Sequence, residues 1–293
     1  MSARRPDTRA RAAGAASAVA RDHRAILVVG IVNVTPDSFF DGGRYASTES
    51  AVAHGLSLAA EGADWLDVGG ESTRPGSQPV TAAEELSRVL PVIEALAKHC
   101  ALPLSVDTRR AEVADAALAR GARIVNAVAG LREPALADVC VAHGATLVLN
   151  HMRGEPATMQ RAPSYTEVVQ DVARELLADA QRAQAAGVPR ERIWLDPGIG
   201  FGKRPREHSV PLIARLGEIV ALGYPVLVGP SRKSFLAAFT QAPAESRLPG
   251  TLAAATACVL AGARALRMHD VAAARQAVDV AAAIRDARKP EQP

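Results

Sequence analysis

The sequence predicts a (β/α)8 barrel of the TIM type, built as one domain. Short apolar runs rich in β-branched residues alternate with longer alanine-rich segments of helical period, from Ile26 to the end of the chain. The alternation gives eight strand–helix units, and the strands are too short and apolar to have a solvent-facing side. A doubly wound open sheet is the alternative. It gives no reason to stop at eight strands, however, and no Gly-x-Gly-x-x-Gly segment follows the first strand.

Eight segments have the composition of buried strands, beginning with the run ILVVGIVNV. Each is bounded by glycine, proline or polar residues, as expected of strands in a parallel sheet. The predicted strands are residues 26–34, 65–68, 103–106, 124–128, 146–150, 193–195, 226–228 and 265–268.

The segments between these strands have the period of amphipathic helices. Thr81 and Glu84 have the spacing of a capping box, which marks a helix start. Glycines at 121, 144, 187 and 223 follow helices as C-cap candidates, each shortly before the next strand. The predicted helices are residues 47–61, 81–99, 110–120, 134–143, 165–186, 208–222, 233–239 with 250–262, and 271–288.

Composition excludes several classes of protein. Of the 293 residues, 48% are hydrophobic and only 3% aromatic, so we expect a core of Ala, Val, Leu and Ile rather than rings. The net charge of +3 comes largely from the first 24 residues, which hold six arginines and two aspartates. The body has no basic cluster interleaved with aromatic residues, and we therefore expect no nucleic-acid partner.

The apolar segments, the N-terminus and the cysteines indicate the cellular compartment of the protein. No stretch reaches the ~18 uninterrupted apolar residues of a membrane span, and the N-terminus lacks the apolar centre of a secretory signal. Cys100, Cys140 and Cys258 have neither metal-ligand nor disulfide spacing. We expect a cytoplasmic protein with no membrane partner. Residues 1–24 are interpreted as a disordered Ala/Arg-rich tail, with a transit peptide as the alternative, and residues 25–293 as the barrel.

Polar residues end nearly every predicted strand, and active sites in this fold are built at the carboxyl ends of the strands. The opposite rim has mostly turn residues. The residues at the strand ends are Asn33, Asp67, Asp107, Asn126, Asn150 with His151, Asp196, Ser231 to Lys233, and Arg267 with His269.

Each of these residues has a structural alternative. Asp107 could simply be the N-cap of the next helix. Asn126 is harder to explain in this way, because the next predicted helix begins several residues later and a buried amide needs partners. Asp196 opens the run DPGIGFGK, whose glycines suggest that the backbone approaches a ligand closely. For His151, in contrast, the choice between a structural and a catalytic role stays open, since no metal-binding partner lies at ligand spacing.

Cationic residues concentrate at the seventh and eighth strands. The segment SRKS, residues 231–234, is predicted to begin a helix, and Arg267 and His269 alternate so that both point to one side of the strand. This pattern favours a phosphate site. The alternative is that Arg267 pairs with a neighbouring Asp and His269 caps the last helix.

Acids and amides next to cations suit a ligand with two chemically different ends. A flat heterocycle rich in N–H donors fits the Asp and Asn residues, and a diphosphate fits the cations. The matching chemistry is displacement of the diphosphate, with Arg267, His269, a helix start and Mg²⁺ stabilising the departing oxygens.

Six segments in this order closely resemble the motifs of the dihydropteroate synthase family. They are NVTPDSF (33–39), DVGGESTRPG (67–76), SVDT (105–108), DPGIGFGK (196–203), SRKS (231–234) and RMHDV (267–271). The resemblance implies a barrel enzyme of folate synthesis, a sulfonamide target, that works as a homodimer. It joins 6-hydroxymethyl-7,8-dihydropterin diphosphate to 4-aminobenzoate and releases diphosphate.

The resemblance also implies roles for individual residues. The pterin ring is expected on Asp107, Asn126, Asp196 and Lys233, and the diphosphate on Asn33, Arg74, Arg267 and His269. Asn33 would also reach Mg²⁺, and the residues that act in catalysis would be Asn33, Lys233, Arg267 and His269. The aminobenzoate pocket would consist of Thr73, Pro75, Phe201, Ser231 and Lys233.

Two loops would close over the substrates. Residues 35–45, which include Phe39 and Phe40, are interpreted as a lid that excludes water, and residues 71–79 as its companion. Ordinary surface loops are the alternative.

Two positions depart from the family pattern. Ala127 stands where the family commonly has Asp, which could weaken a hydrogen bond beside the ring pocket, and Asn150 stands where a Met is frequent. Ala127 keeps open a degenerate relative that binds pterin without catalysis. A pterin-binding methyltransferase that serves a corrinoid is a further alternative, although it would not need the cations of SRKS and RMHD.

Overall fold

The strands form the predicted barrel. The computed structural model describes residues 26–34, 48–72 and 76–287. Eight strands pair in parallel in the order β6-β5-β4-β3-β2-β1-β8-β7. A parallel bridge between Leu195 and Val226 joins β6 to β7, with Leu195 N donating to Pro225 O at 3.0 Å. The strands are β1 (Leu27–Asn33), β2 (Trp65–Gly69), β3 (Leu104–Thr108), β4 (Ile124–Ala127), β5 (Thr146–Asn150), β6 (Ile193–Asp196), β7 (Leu227–Val228) and β8 (Ala265–Met268).

Helices follow the strands on the outside of the barrel. They are α1 (Thr48–Ala60), α2 (Ala82–His99), α3 (Ala111–Ala119), α4 (Ala135–His143), α5 (Val168–Ala185), α6 (Val210–Ala214), α7 (Leu216–Val220), α8 (Ala237–Thr240), α9 (Leu248–Leu260) and α10 (Val271–Ala287). The four C-cap glycines all have positive φ, as predicted. The capping box forms only halfway: Thr81 accepts from Glu84 N at 3.2 Å, but the Glu84 carboxylate pairs with Arg88.

The predicted helix over residues 208–222 is interrupted. A π-helical turn, Pro205–Ser209, precedes α6, and α7 begins only after a break at Arg215. Pro211 cannot donate a backbone hydrogen bond, and Gly217 has a low helix propensity, so two residues weaken this segment. The predicted helix at residues 233–239 is also divided: a 3-10 turn, Ser234–Leu236, is followed by the four residues of α8.

The barrel interior has an apolar floor. Trp65 and Trp194 meet there edge to face, with ring centroids 5.5 Å apart. The expectation of a core without rings therefore fails at this place, although aliphatic residues fill the layer between sheet and helices. The floor consists of Leu27, Val29, Trp65, Ile124, Val148, Trp194, Leu227 and Ala265.

Alternation along the strands places polar residues directly above this floor. Side chains two residues apart on a strand point to the same side, so Trp65 is followed inward by Asp67, Ile124 by Asn126, and Trp194 by Asp196. The closed lower end and the polar upper end together give the barrel a mouth that can bind a ligand.

No helix within the described ranges is long and apolar enough to cross a membrane. Cys100, Cys140 and Cys258 are free thiols, as expected. The division into a tail, residues 1–24, and a single barrel domain, residues 25–293, stays a prediction, because the tail lies outside the described residues.

Candidate active site

An ion-paired group, which we call the Arg267 cluster (Asp67, Asp107, Asn126 and Arg267), occupies one side of the mouth. Arg267 on β8 donates from Nε to Asp67 Oδ2 at 2.5 Å and from Nη2 to Asp107 Oδ2 at 2.7 Å. Asn126 Nδ2 donates to the same Asp67 oxygen at 3.1 Å. The strand register sets Asp107 directly beside Asn126. Residues from four strands are therefore joined in one hydrogen-bonded group.

The Arg267 cluster has hydrogen-bond acceptors to spare. Among the described residues, Asp107 Oδ1 and Asn126 Oδ1 are buried side-chain atoms with no hydrogen-bond partner. Because Asp67 takes the Asn126 amide nitrogen, the Asn126 oxygen is the atom left over. Buried acceptors without partners are costly, so these two oxygens fit a ligand that brings N–H donors.

Burial and the neighbouring charges perturb the pKa of Asp107. Burial raises the pKa of this carboxyl to about 7, against the opposing effect of Arg267, and the neighbouring charges of Asp67 and Glu85 raise it further. The protonation of Asp107 is thus balanced near neutral pH.

A second group, the Lys233 cluster (Asn150, Asp196, Phe201 and Lys233), faces the first. Lys233 Nζ donates to Ile199 O at 2.5 Å and lies 4.0 Å from the centroid of the Phe201 ring. Burial lowers the pKa of Lys233 to about 8, with Asp196 acting in the opposite direction and Arg267 in the same one. These charge interactions link the two clusters across the mouth.

Asp196 is almost fully enclosed. It accepts from Gly198 N at 2.7 Å, so the simple turn-forming role of an Asp after a strand is present, but only Oδ1 is used for it. Burial raises the pKa of Asp196, while Lys233, Gly198 N and the neighbouring Asn150 amide lower it. Asn150, a departure from the family pattern, lies directly beside Asp196 in the strand register.

The loop after β6 is shaped by close backbone contact. Gly198 has φ +64°, and a Cβ at this position would lie 1.9 Å from the carbonyl oxygen of His151. Only glycine fits such a position. The loop thus lies against the end of β5 and presents Ile199 O and Phe201 to Lys233.

His151 belongs to a structural network behind this loop. Lys203 Nζ contacts His151 Nδ1 at 2.9 Å, His151 O at 3.3 Å and Phe201 O at 3.0 Å. His151 Nε2 contacts Glu175 at 2.9 Å, and burial lowers the pKa of His151 to about 4. The imidazole is therefore neutral, and with Nδ1 accepting from Lys203, Nε2 carries the proton.

Ser231 and His269 form a third contact at the mouth. The Ser231 hydroxyl lies 2.9 Å from His269 Nδ1 and accepts from His269 N at 3.1 Å. Because its oxygen already accepts from that backbone N–H, the hydroxyl can donate to Nδ1, which leaves the His269 proton on Nε2. His269 thereby presents a hydrogen-bond donor.

Several alternatives from the sequence can now be compared with the geometry. Asp107 is not the N-cap of α3, since Arg110 occupies that position. Arg267 does pair with carboxylates, but both lie in the mouth, so the pairing keeps the guanidinium at the site. The helix start expected at SRKS is only a short 3-10 turn, and we assign it no role in binding anions.

Some predicted site residues are separate from these clusters or outside the described structure. Asn33 ends β1 beside Gly69 and is half-buried. Thr73, Arg74 and Pro75 lie outside the described residues, as do residues 35–45 with Phe39.

Asp67 is the main residue that the sequence reasoning did not assign. Its signal was a carboxylate two residues after Trp65 on an otherwise apolar strand, which places it inward above the floor. Its partner Arg267 is 200 residues away in sequence. Ala127, by contrast, packs in the aliphatic layer between sheet and helices, so its lack of a carboxylate does not open a gap beside Asn126.

The residues present offer little to a metal by themselves. Within the described residues no group of three or more His, Cys, Asp or Glu side chains could hold a metal ion. Asn33 provides one amide oxygen, the kind of hard ligand that Mg²⁺ accepts. Mg²⁺ commonly binds through one or two protein oxygens together with substrate phosphates, so Asn33 fits a metal that arrives with a diphosphate.

Comparisons with known proteins agree with this geometry. The profile of the family described as pterin binding enzyme matches residues 29–269. Dihydropteroate synthase of Escherichia coli (strain K12) is 42% identical over 262 residues, which cover 89% of this chain and 93% of the relative.

Two solved structures are also closely similar. The Yersinia pestis dihydropteroate synthase in a sulfonamide drug complex has a TM-score of 0.87 and 39% identity, covering 91% of this chain and 96% of that one. The Xanthomonas albilineans dihydropteroate synthase with 4-aminobenzoic acid has a TM-score of 0.83 and 47% identity, covering 91% and 94%.

Proposed function

The chain belongs to the dihydropteroate synthase family of pterin-binding enzymes, and on that basis we propose which of its residues bind each part of the substrates. The protein is a transferase of folate synthesis. It condenses 6-hydroxymethyl-7,8-dihydropterin diphosphate with 4-aminobenzoate and gives 7,8-dihydropteroate and diphosphate.

The pterin ring binds between the two clusters. Asp107, Asn126 and Asp196 accept hydrogen bonds from the ring and its amino group, and Lys233 donates to a ring acceptor. The observation that supports this assignment is that Asp107 Oδ1 and Asn126 Oδ1 are buried acceptors without a partner in the described part of the chain. A donor-rich ring supplies what these atoms lack.

The diphosphate binds on the cationic side. Arg267 and His269 stabilise the negative charge that develops on the leaving oxygens, together with Asn33 and Arg74. The bond between the pterin methylene carbon and the diphosphate oxygen breaks first, and its electron pair leaves with diphosphate. The amine nitrogen of 4-aminobenzoate then forms a bond to the carbon and loses a proton. No covalent intermediate with the enzyme is formed.

The aminobenzoate pocket lies beside Phe201, whose ring packs against the Lys233 ammonium. Ser231 and Lys233 contribute polar contacts, and Thr73 and Pro75 complete the pocket. Sulfonamides should compete with 4-aminobenzoate here, because the Yersinia pestis relative forms a complex with such a drug.

Mg²⁺ is proposed as the cofactor, bound through Asn33. When bound, the ion supplies additional positive charge to the leaving diphosphate. Among the described residues, the amide oxygen of Asn33 at the end of β1 supports this proposal.

A cytoplasmic homodimer is proposed as the working form. Three free thiols are typical of a reducing compartment. Val280 and Ile284, one turn apart on α10, are 61% and 44% exposed, and this apolar pair supports an interface with a second copy. Light scattering on Val280→Lys tests the dimer: the variant should have the mass of a monomer, and a variant that stays dimeric would exclude this surface.

Diphosphate release that depends on 4-aminobenzoate is the test of the function. A chain that bound pterin without releasing diphosphate would instead be a non-catalytic relative, and methyl transfer to a corrinoid would indicate the methyltransferase alternative. In the test of the site, Arg267→Ala should abolish turnover, while Lys98→Ala, a change on the exposed side of α2, should leave it unchanged.

A further inference from the structure

Arg232 has an unusual backbone conformation between two residues of the site. Its φ is +52°, and among the described residues only Gln241 shares a positive φ without being glycine. Gln241 ends α8, where a left-handed residue is common. Arg232, in contrast, does not end a helix. It stands between Ser231 and Lys233, so its conformation sets the directions of both.

The turn sends its two neighbours to opposite sides of the mouth. Ser231 Oγ reaches His269 after β8, at 2.9 Å, while Lys233 Nζ reaches Ile199 O after β6, at 2.5 Å. An extended residue at position 232 would change these directions, since a positive φ reverses the local course of the chain. The two contacts therefore depend on the left-handed conformation.

Three contacts hold Arg232 in this conformation. Its backbone N donates to Thr251 Oγ1 at 3.0 Å, and its carbonyl oxygen accepts from Arg247 Nη1 at 3.1 Å. Its guanidinium binds Asp270, with Nε to Oδ2 at 2.9 Å and a second bond from Nη2. Thr251 is completely buried on α9. The sequence pattern placed Arg232, as part of SRKS, among the cations of a phosphate site, but its side chain binds Asp270.

We infer that Arg232 is a positioning residue: the contacts of its backbone with Thr251 and Arg247 and of its side chain with Asp270 keep a strained turn in the form that aims Ser231 and Lys233 into the site. The inference rests on the proposed roles of Ser231 and Lys233. Backbone strain of this kind persists only where surrounding contacts over-determine it, and it is concentrated at functional sites.

Comparison of Arg232→Ala with Arg232→Gly tests the inference. Both variants lose the bond to Asp270, but only alanine retains the cost of a left-handed residue. In Arg232→Ala a fraction of the molecules should relax the turn, which raises the apparent Kd of 7,8-dihydropteroate by about 5- to 30-fold. Arg232→Gly should stay within about threefold of the original protein.

Kinetics separate positioning from general loss of structure. Saturating substrate selects the competent turn, so Arg232→Ala should raise KM for 4-aminobenzoate while kcat changes little. General unfolding would instead lower the active fraction and leave KM unchanged. Equal Kd values for the alanine and glycine variants would overturn the inference.

Thr251 provides a matched pair that leaves the side chain of Arg232 intact. Thr251→Val removes the acceptor of the Arg232 N–H with little change in shape, and Thr251→Ser retains it. The valine variant should show the rise in Kd and the serine variant should not. If both behave alike, the backbone contact does not position the turn.

Lys233→Met separates this inference from the proposed function. If Lys233→Met binds 7,8-dihydropteroate as tightly as the original protein does, the assignment of Lys233 is wrong. If Lys233→Met weakens binding while the two Arg232 variants agree with each other, only the role of Arg232 fails.

Discussion

Asp196→Asn is the sharpest test of the proposed ring site. Asp196 uses Oδ1 to accept from Gly198 N at 2.7 Å, and an asparagine can retain that bond with its oxygen. The second position of the side chain then changes from a charged acceptor to an NH₂ donor. A ring N–H that faced an oxygen would face another donor, while the loop after β6 would stay in place.

The size of the effect follows from the interactions lost. A hydrogen bond to a charged group contributes about 1.5–3 kcal/mol, and an unpaired buried donor costs about 1–3 kcal/mol. Even the lower limits add to about 2.5 kcal/mol, which corresponds to roughly 70-fold in Kd.

Calorimetric titration with 6-hydroxymethylpterin measures this effect directly, because a ligand without diphosphate reports on the ring alone. Glu94→Gln is a matched control: it makes the same chemical change on the exposed side of α2, where Glu94 pairs with Lys98. The thermal midpoint of Asp196→Asn should stay close to that of the original protein. A Kd within threefold would refute the assignment of Asp196 to the ring.

Four further predictions concern the site around Asp196. Asp67→Ala should lower the free energy of unfolding by about 3 kcal/mol, measured by urea denaturation, because Arg267 loses one of two buried partners; no loss would contradict the Arg267 cluster. With the pKa of Asp107 near 7 and that of Lys233 near 8, ring affinity should be greatest between those pH values and fall on either side, and a flat profile from pH 5.5 to 9.5 would contradict this. The same pKa shifts predict how the free energy of unfolding changes with pH. It should fall as pH rises from 3.8 to about 7, because in this range Asp107 is protonated in the folded protein and ionised in the unfolded chain. It should rise from about pH 8 to 10.5, because there Lys233 is neutral in the folded protein and protonated in the unfolded chain. Gly198→Ala should destabilise by about 2–5 kcal/mol. Gly76→Ala, also at positive φ but with no described atom within 4 Å of a Cβ, should cost only about 1–2 kcal/mol. Equal losses of stability in the two variants would mean that contact with His151 O is unimportant.

The barrel itself could be predicted from the sequence because its signals are local. Short β-branched runs and glycine C-caps depend on neighbouring residues, and every predicted strand and C-cap glycine is present in the structure. The helix over residues 208–222 was predicted as one unbroken segment, because its period continues through Pro211, which lacks a backbone N–H, and Gly217, which has a low helix propensity.

The partners within the mouth could not be predicted in the same way. Arg267 and Asp67 are 200 residues apart, and only closure of the barrel brings them to 2.5 Å. The conformation of Arg232 depends on its contacts with Asp270 and Thr251, and sequence spacing identifies neither residue as its partner. Sequence could therefore identify which residue types stand at the strand ends, but not which of them bind one another.

A crystal structure with bound 6-hydroxymethylpterin diphosphate tests the central claim most directly. We expect ring nitrogens at hydrogen-bond distance, about 2.7–3.2 Å, from Asp107, Asn126 and Asp196, with the diphosphate against Arg267 and His269. A ring bound elsewhere, with Asp107 Oδ1 and Asn126 Oδ1 still without partners, would contradict it.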